Sequence, residues 1–311
     1  MISRVMTALD RQLIAFRRRN SQIRHLIPLR VIRGTLRAQS WFNPVRDLFV
    51  RPVARSPHAN VFHCCTQKSG SQWLQSLLTD LRTYQYTGLR RHDARNDRSA
   101  RTPVTELRIP DGFPPRTLVS PLFMTFDAFR EMPKAGSYRA FYVSRDPRDI
   151  LVSWYYSARF SHLADNDMTR PLVQARVALE GLSEADGLRY AVDYMERMGR
   201  FASMRSWTNA PEQDPSVRLV RFEDLVGPDA FVTMAGLFDF LDIRMPESEL
   251  RSLLDAYSFE RLSGRKRGTE NPRSHLRSGS AGGWRKRFDE PLTSYFREVT
   301  GDLVERMGYT W

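Results

Sequence analysis

The stretch "NVFHCCTQKSGSQWLQSLLTDL", residues 60–81, combines a short apolar run, a small polar loop and a second apolar segment. The run from Val61 to Cys65 predicts a buried strand. In the second segment, the apolar residues recur at steps of three and four, which is typical of one face of a helix; they are Trp73, Leu74, Leu77, Leu78 and Leu81. We therefore expect a strand–loop–helix unit, the building block of a parallel α/β fold.

The loop between these two elements has the chemistry of an anion-binding site. Backbone N–H groups and the partial positive charge of a helix N-terminus favour an anion there. Lys68 adds a compact cation, in a chain with 48 Lys and Arg of which only four are lysine. Gly70 lets the backbone approach a ligand closely, while Ser69 and Ser71 add hydroxyl donors. A strand-to-helix turn with a solvated lysine is the alternative.

The order of residues in this loop differs from that of nucleoside triphosphatases. Their phosphate loop reads GxxxxGK[ST], whereas here the lysine precedes the glycine and no upstream glycine stands at the required spacing. The loop alone therefore indicates anion binding without identifying the anion.

Two further stretches place cations after predicted strands or beside small residues. "VSRDPRDILVSWYYSARF", residues 143–160, puts Arg145 at a strand end and Ser153 in the following helix. "LRSGSAGGWRKRF", residues 276–288, puts Arg277 next to a Ser-Gly run. Arginine can hold a phosphate through two parallel hydrogen bonds. Either stretch alone is more commonly a solvated charge, but the two together predict a second anion site.

The rest of the chain alternates predicted strands and helices. Further strands are expected near 116–124, 137–144 and 216–225, with helices near 150–160, 184–207, 228–241 and 246–257. Residues 261–283 are rich in Gly, Ser and Arg and predict a long surface loop. This alternation predicts an α/β fold with three αβα layers around a central parallel sheet, where ligands bind at the carboxyl ends of the strands.

Charge is concentrated at the N-terminus. Residues 1–60 hold twelve Arg and two Asp, which is +10 of the chain's net +13. We expect an extension over 1–58, containing an amphipathic helix, followed by a domain over 59–311. The extension is predicted either to pack on the domain through its apolar face, to lie on anionic lipid, to touch a polyanion or to act as a targeting peptide.

Composition excludes several other classes of protein. The two cysteines, Cys64 and Cys65, are adjacent, so a disulfide framework and a CxxC zinc site are excluded. Reduced thiols are typical of the cytoplasm, which is the expected location. No run approaches 18 apolar residues, so no membrane-spanning helix is predicted.

In this order, the three basic stretches resemble the motifs of sulfotransferases that use 3′-phosphoadenosine 5′-phosphosulfate, abbreviated PAPS. "QKSGSQWL" resembles the 5′-phosphosulfate loop, "RDPRDILVSWYY" the 3′-phosphate motif and "RSGSAGGWRKRF" the C-terminal cofactor loop. "VRFEDL" and "YSFERL" resemble segments that flank the adenine pocket. The resemblance covers residues 60–290 and implies a sulfotransferase fold like that of the P-loop nucleoside triphosphatases.

The resemblance also implies roles for individual residues. The 5′-phosphosulfate would be wrapped by Lys68, Ser69, Gly70, Ser71 and Gln72. Trp73 would stack on the adenine, with Phe222 and Phe259 nearby, unless these aromatic residues serve only to pack the core. The 3′-phosphate would be held by Arg145, Ser153, Arg277, Ser278 and Gly279. Position 278 departs from the family, which often has a lysine there; a basic residue at 265–267 is a candidate to compensate.

The implied reaction is in-line transfer of a sulfuryl group to a hydroxyl or amine, with adenosine 3′,5′-bisphosphate (PAP) as the leaving group. Lys68 would stabilise the charge on the bridging oxygen. No metal is expected, because the sequence shows no compact His/Asp/Glu ligand cluster. The acceptor is not predicted more closely than a small molecule, a lipid or a glycan.

The general base is the least defined part of this interpretation. Many soluble members carry a histidine in the segment that matches residues 118–123, "LVSPLF", and this chain has none there. Other candidates are His92 and Asp93 after the first helical region and His162 after the 3′-phosphate motif.

Two other classes of function stay open from the sequence. An ATP-dependent phosphotransferase would need a metal-binding acid near the loop and usually the GK[ST] order, neither of which is visible. A catalytically inactive protein that binds PAPS, PAP or a membrane surface is the second. No nucleic-acid-binding motif is present, so no nucleic acid partner is expected, and the oligomeric state is not predicted.

Overall fold

A five-stranded parallel sheet lies at the centre of the fold. The computed structural model describes residues 50–92, 94, 102–161, 170–274 and 276–311. The strands are β1 (Asn60–Cys65), β2 (Arg90–His92), β3 (Thr117–Leu122), β4 (Tyr138–Ser144) and β5 (Val217–Arg221). Their order across the sheet is β2-β3-β1-β4-β5, with every pairing parallel. All carboxyl ends therefore meet at one edge, where ligands of such sheets bind.

Helices follow or connect these strands along the chain. They are α1 (Ser71–Leu78), α2 (Leu81–Thr87), α3 (Phe126–Glu131), α4 (Pro147–Tyr156), α5 (Arg170–Glu180), α6 (Glu184–Arg197), α7 (Arg200–Ser206), α8 (Ala210–Gln213), α9 (Phe222–Val226), α10 (Ala230–Phe240), α11 (Glu247–Ala256), α12 (Phe259–Ser263), α13 (Glu290–Thr300) and α14 (Leu303–Arg306). A π-helical turn, Ser157–Ser161, extends α4, and short 3₁₀ turns lie at Val104–Glu106 and Gly283–Lys286.

Both faces of the sheet are covered, which confirms the predicted three layers. Side chains alternate along a strand, so neighbours point to opposite faces. One face, which includes Val61 and Phe141, packs against Leu74 and Leu77 of α1 and against α10 and α11. The opposite face packs against α3 and Trp207. A third apolar cluster joins α4 to α6, α7, α13 and α14 and so fixes the helix that follows β4.

Two predicted helices are interrupted for local reasons. The helix expected over 71–81 ends at Leu78, because the Asp80 carboxylate caps a new helix by accepting from the Arg82 N–H at 2.9 Å. The helix expected over 184–207 breaks at Gly199, which is left-handed with φ 65°. A Cβ at Gly199 would lie 2.9 Å from the Thr105 side chain, so the break also allows close packing.

The sheet also differs from the sequence-based prediction at two strands. The polar segment after α2 contains β2, a short edge strand that its arginine-rich sequence did not predict. The strand expected over 216–225 ends at Arg221, and Phe222 begins α9. The long loop expected over 261–283 starts inside α12, which ends at Ser263.

Residues 51–311 form one compact unit. Residues 51–58 belong to it: the Val53 N–H donates to the Gln85 carbonyl at 2.7 Å, and His58 Nε2 lies 2.9 Å from the Asp242 carboxylate. The predicted amphipathic helix of the N-terminal extension lies outside the described residues. Within the described part of the chain, no helix has the length and apolar composition needed to cross a membrane. Cys64 and Cys65 are buried and are not joined in a disulfide.

Trp207 is one of the largest fully buried side chains in the apolar cluster on one face of the sheet. It is fully buried, stacks on Tyr142 with 4.8 Å between ring centroids, and donates from Nε1 to the Met124 carbonyl at 2.9 Å. We predict that Trp207→Ala lowers the free energy of unfolding by about 3–5 kcal/mol in denaturant titrations, because it leaves a cavity. Val232→Ala is the control; that side chain is 69% exposed and should change stability by less than about 0.5 kcal/mol. Equal effects of the two substitutions would contradict the assignment of Trp207 to the core.

Candidate active site

The loop between β1 and α1 is held in a tight, partly left-handed conformation. Lys68 has φ 76° and Gly70 has φ 81°, and Gly70 is the residue that precedes α1. The Ser69 hydroxyl donates to the Thr66 carbonyl at 2.7 Å, and Thr66 Oγ1 lies 2.8 Å from the Tyr142 hydroxyl. The left-handed backbone conformation is unfavourable for a lysine by itself. The surrounding bonds therefore fix a backbone shape that the residue would not otherwise adopt.

Gly70 is required for a second reason besides its backbone angles. A Cβ at this position would lie 2.6 Å from the Phe222 ring, closer than a real contact allows. Phe222 begins α9 directly after β5, so the first residue of that helix closes the space beneath the loop. Ser71 is buried at the start of α1, whereas the following Gln72 is exposed.

Arg145 connects this loop to two other segments. It follows β4 directly, and its Nη1 donates to the Lys68 carbonyl at 2.8 Å. Its Nη2 lies 3.4 Å from the Ser280 carbonyl. The guanidinium stacks over the Phe222 ring at 4.4 Å from the centroid. The structure thus brings together the first and second basic stretches, as the sequence predicts for parallel strand ends.

Asp149 brings the third basic stretch to the same place. This fully buried carboxylate accepts from the Trp284 N–H at 3.0 Å and the Gly282 N–H at 2.6 Å, and it lies 4.0 Å from Arg145 Nη2. The sequence alone does not predict this role. The one available signal was an acid four residues after Arg145, on the helix face that meets the strand end.

Ser153 lies on the same face of α4 as Asp149, one turn further along. Tyr156 follows on that face, and the Arg277 guanidinium lies over its ring at 5.3 Å. Ser153 is partly exposed. The helix therefore presents Ser153 between Asp149, which lies beside Arg145, and Tyr156, which lies beside Arg277.

Arg277 is buried and paired with an acid of its own loop. Its Nη1 lies 2.8 Å from the Glu270 carboxylate, which also lies 3.6 Å from Arg287 Nη2. Ser278 is buried next to it, with its hydroxyl 3.4 Å from the Ser280 N–H. Gly279 has φ 65°, and a Cβ there would meet the Phe259 ring at 2.2 Å. Phe259 therefore supports Gly279 as Phe222 supports Gly70.

The three predicted adenine residues line the same region with different exposure. Phe222 and Phe259 are buried. Trp73, on α1, is partly exposed and donates from Nε1 to the Tyr257 carbonyl at 2.9 Å. Because Tyr257 is two residues before Phe259, this bond ties α1 to the segment that carries Phe259.

Two unpaired nitrogen atoms indicate what the site is built to bind. The Nε atoms of Arg145 and Arg277 are both buried and have no hydrogen-bond partner. A buried charged donor without a partner is costly. An oxyanion placed between these arginines would supply the missing acceptors, so the residues present fit a phosphate group.

The lowered pKa of Lys68 is consistent with an excess of positive charge at this site. Burial, followed by the neighbouring cations Arg145 and Arg277, lowers the pKa of Lys68 from 10.5 to about 8. A bound anion would favour the charged ammonium and raise this pKa again.

The predicted base residues are less completely described. His92 ends β2, two strands from β1 and so about 10 Å across the sheet edge, and its ring packs edge-on against Phe113. Asp93 and His162 lie outside the described residues. Ser120, in the segment where the family often has a histidine, is fully buried and hydrogen-bonds His63 Nδ1 at 2.8 Å. His63 is also fully buried and stacks on Phe141, which makes it a core residue.

No group of three or more His, Cys, Asp or Glu residues is placed to hold a metal ion in the part of the chain that the structure describes.

The lowered pKa of Lys68 has a measurable consequence for stability. Between pH 8 and 10.5 the unfolded chain holds this proton more tightly than the folded protein, so wild-type stability rises with pH in that window. We predict that Lys68→Met is more stable than wild type below pH 8 and that the difference shrinks towards pH 10.5. Chemical denaturation at a series of pH values measures it. Lys266→Met, which removes an exposed lysine, is the control; a constant difference for Lys68→Met would contradict the account.

Known proteins resemble this chain at the level of a sequence family and of solved structures. The family described as "Sulfotransferase domain" matches residues 59–308. No curated protein matches the chain by sequence. Among solved structures, the mouse sulfotransferase SULT7A1 complexed with PAP is 15% identical, with 83% of this chain and 87% of that chain covered and a TM-score of 0.49. Retinol dehydratase in a complex with retinol and PAP is 18% identical, with 84% of each chain covered and a TM-score of 0.48. The family match spans most of the chain, and on that basis the protein belongs to the sulfotransferase family.

Proposed function

We propose that this protein transfers a sulfuryl group from PAPS to a hydroxyl or amine of an acceptor molecule. The observation that carries the proposal is the pair of buried, unpaired arginine Nε atoms beside the left-handed Lys68 loop. Two anion-binding elements so close together match a donor that carries phosphate groups on both the 3′ and the 5′ oxygen of its ribose. The family to which the chain belongs supplies the type of reaction.

Different described residues would bind the 3′-phosphate, the 5′ end and the adenine of the nucleotide. Arg145 and Arg277, with Ser153 on α4, would hold the 3′-phosphate, with Ser278 and Gly279 contributing backbone next to Arg277. The 5′ end would lie on the loop from Lys68 to Gln72 and the N-terminus of α1. Trp73, which is partly exposed, would stack on the adenine. Phe222 and Phe259 would support the two loops at Gly70 and Gly279.

When bound, the donor supplies an activated sulfuryl group on a phosphate leaving group. Lys68 would stabilise the negative charge that develops on the bridging oxygen, an interaction that strengthens in the transition state and so raises the rate. Arg145 holds the Lys68 backbone through its carbonyl, which limits the positions that the ammonium can reach. A pKa of about 8 leaves Lys68 largely protonated at neutral pH.

Fewer of the residues proposed for the acceptor side of the site are among those that the structure describes. His92, Asp93 and His162 stay the proposed candidates for the base that takes the acceptor's proton. The acceptor is proposed to be a small molecule, a lipid or a glycan. The proposed location is the cytoplasm, with the basic N-terminal extension as a contact for anionic membrane surfaces.

Nucleotide binding tests the 3′-phosphate assignment. We predict that wild type binds PAP more tightly than AMP, which lacks the 3′-phosphate, in calorimetric titrations. Arg145→Gln should weaken PAP binding by about tenfold or more, because it removes a charged hydrogen bond to that phosphate. Arg251→Gln is the control, since Arg251 is an exposed residue of α11 that pairs with Glu247. Equal affinity of wild type for PAP and AMP would contradict the assignment.

A transfer assay tests the reaction itself. With radiolabelled PAPS and a panel of phenols, lipids and glycans, we expect labelled product from wild type and at least about a hundredfold less from Lys68→Ala. Labelled ATP should give no product. Tight PAP binding without transfer to any acceptor would favour the inactive binding protein, and transfer from ATP would favour the phosphotransferase.

A further inference from the structure

The loop that carries Arg277 folds back on itself. The Gly268 N–H donates to the Ser278 carbonyl at 2.8 Å, and the Asn271 N–H donates to the Arg277 carbonyl at 2.9 Å. Residues 268–271 therefore run alongside 277–278. The position of Arg277 depends on this pairing, because no strand or helix contains the residue.

Arg265 fastens the two sides of this fold together. Its Nη1 donates to the Thr269 carbonyl at 2.6 Å and to the Arg277 carbonyl at 3.0 Å, and its Nη2 donates to the Leu276 carbonyl. The guanidinium also lies over the Phe259 ring at 5.4 Å. Phe259 is the ring on which Gly279 packs. One planar side chain thus joins both sides of the loop to its aromatic support.

Arginine is the side chain suited to this position. Three carbonyl oxygens converge on it, and their partial negative charges repel one another without a cation between them. A guanidinium offers several donors in a fixed plane, whereas a lysine ammonium is a compact point charge on a flexible stem. Both terminal nitrogens of Arg265 donate to carbonyls of the loop, so this residue acts on the backbone that carries Arg277.

The same bonds determine which edge of Arg277 is free. Glu270, which follows the Thr269 carbonyl held by Arg265, pairs with Arg277 Nη1. The Arg277 Nε is left buried and unpaired. Fixing residues 269 and 277 together therefore fixes the acid on one side of the Arg277 guanidinium and leaves the other side for an oxyanion.

We propose that Arg265 is a positioning residue for the 3′-phosphate, acting through the backbone of the loop that carries Arg277. It holds the backbone of Leu276 and Arg277 so that the Arg277 guanidinium is in place before the ligand arrives. Preorganisation of this kind strengthens binding without adding a contact. The inference rests on the proposed function, because it assigns the phosphate that Arg277 binds.

The test compares two nucleotides that differ only in the 3′-phosphate. Arg265→Gln and Arg265→Lys are titrated with PAP and with AMP by calorimetry, and Arg273→Gln, an exposed arginine of the same loop, is the charge-matched control. We expect Arg265→Gln to lower the PAP-to-AMP affinity ratio by about tenfold or more. Arg265→Lys should lower it nearly as far, and Arg273→Gln should leave it unchanged.

A role in folding alone would give a different result. It would lower the melting temperature and weaken PAP and AMP equally, so an unchanged ratio in both Arg265 variants overturns the inference. A double variant adds a second check: Arg265→Gln with Arg277→Gln should bind PAP no more weakly than Arg277→Gln alone, and additive losses would count against the inference. If wild type does not distinguish PAP from AMP, the proposed function fails, and this inference fails with it.

Discussion

The hydrogen bond from Arg145 to the Lys68 carbonyl is the interaction on which the site depends. Arg145 stands at the end of β4, and Lys68 stands in the loop after the neighbouring strand β1. The other end of the guanidinium reaches Ser280, and its face lies on Phe222. A single buried side chain therefore connects the three basic segments and the aromatic support. The parallel sheet makes this connection available because its strand ends meet at one edge.

Placing these cations close together is unfavourable, and the protein offsets part of that cost with neighbouring acids. Asp149 lies beside Arg145 and Glu270 beside Arg277. Burial raises the pKa of Glu223, whose carboxylate accepts from the Asp146 N–H and from the Tyr309 hydroxyl. No acid among these is placed against Lys68, and burial, followed by the charges of Arg145 and Arg277, lowers its pKa. Binding sites commonly lower the stability of the ligand-free protein. Here the grouped cations repel one another until an anion binds between them.

The sequence was sufficient to predict the elements that repeat a simple pattern. The apolar run before Lys68 and the strand before Arg145 lie where the sequence predicts them, and the helix after Lys68 is confirmed as far as Leu78. The meeting of Lys68 and Arg145 was predictable too, because both follow strands of a parallel sheet. Arg277 was expected there from the family resemblance. Residues whose role depends on a distant segment were not predictable. Asp149 binds N–H groups more than 130 positions away, and Arg265 gathers carbonyls that only the folded loop brings together. The breaks at Asp80 and Gly199 depend on a side-chain cap and a close contact that periodicity does not register.

The most direct test of the central claim is a crystal structure of the protein in complex with PAP. The account predicts that the 3′-phosphate lies between Arg145 and Arg277, with an oxygen within about 3 Å of each Nε atom. It also predicts that the 5′-phosphate lies on the Lys68 loop at the start of α1. A nucleotide bound with its 3′-phosphate in solvent, or bound away from these two arginines, would contradict the account.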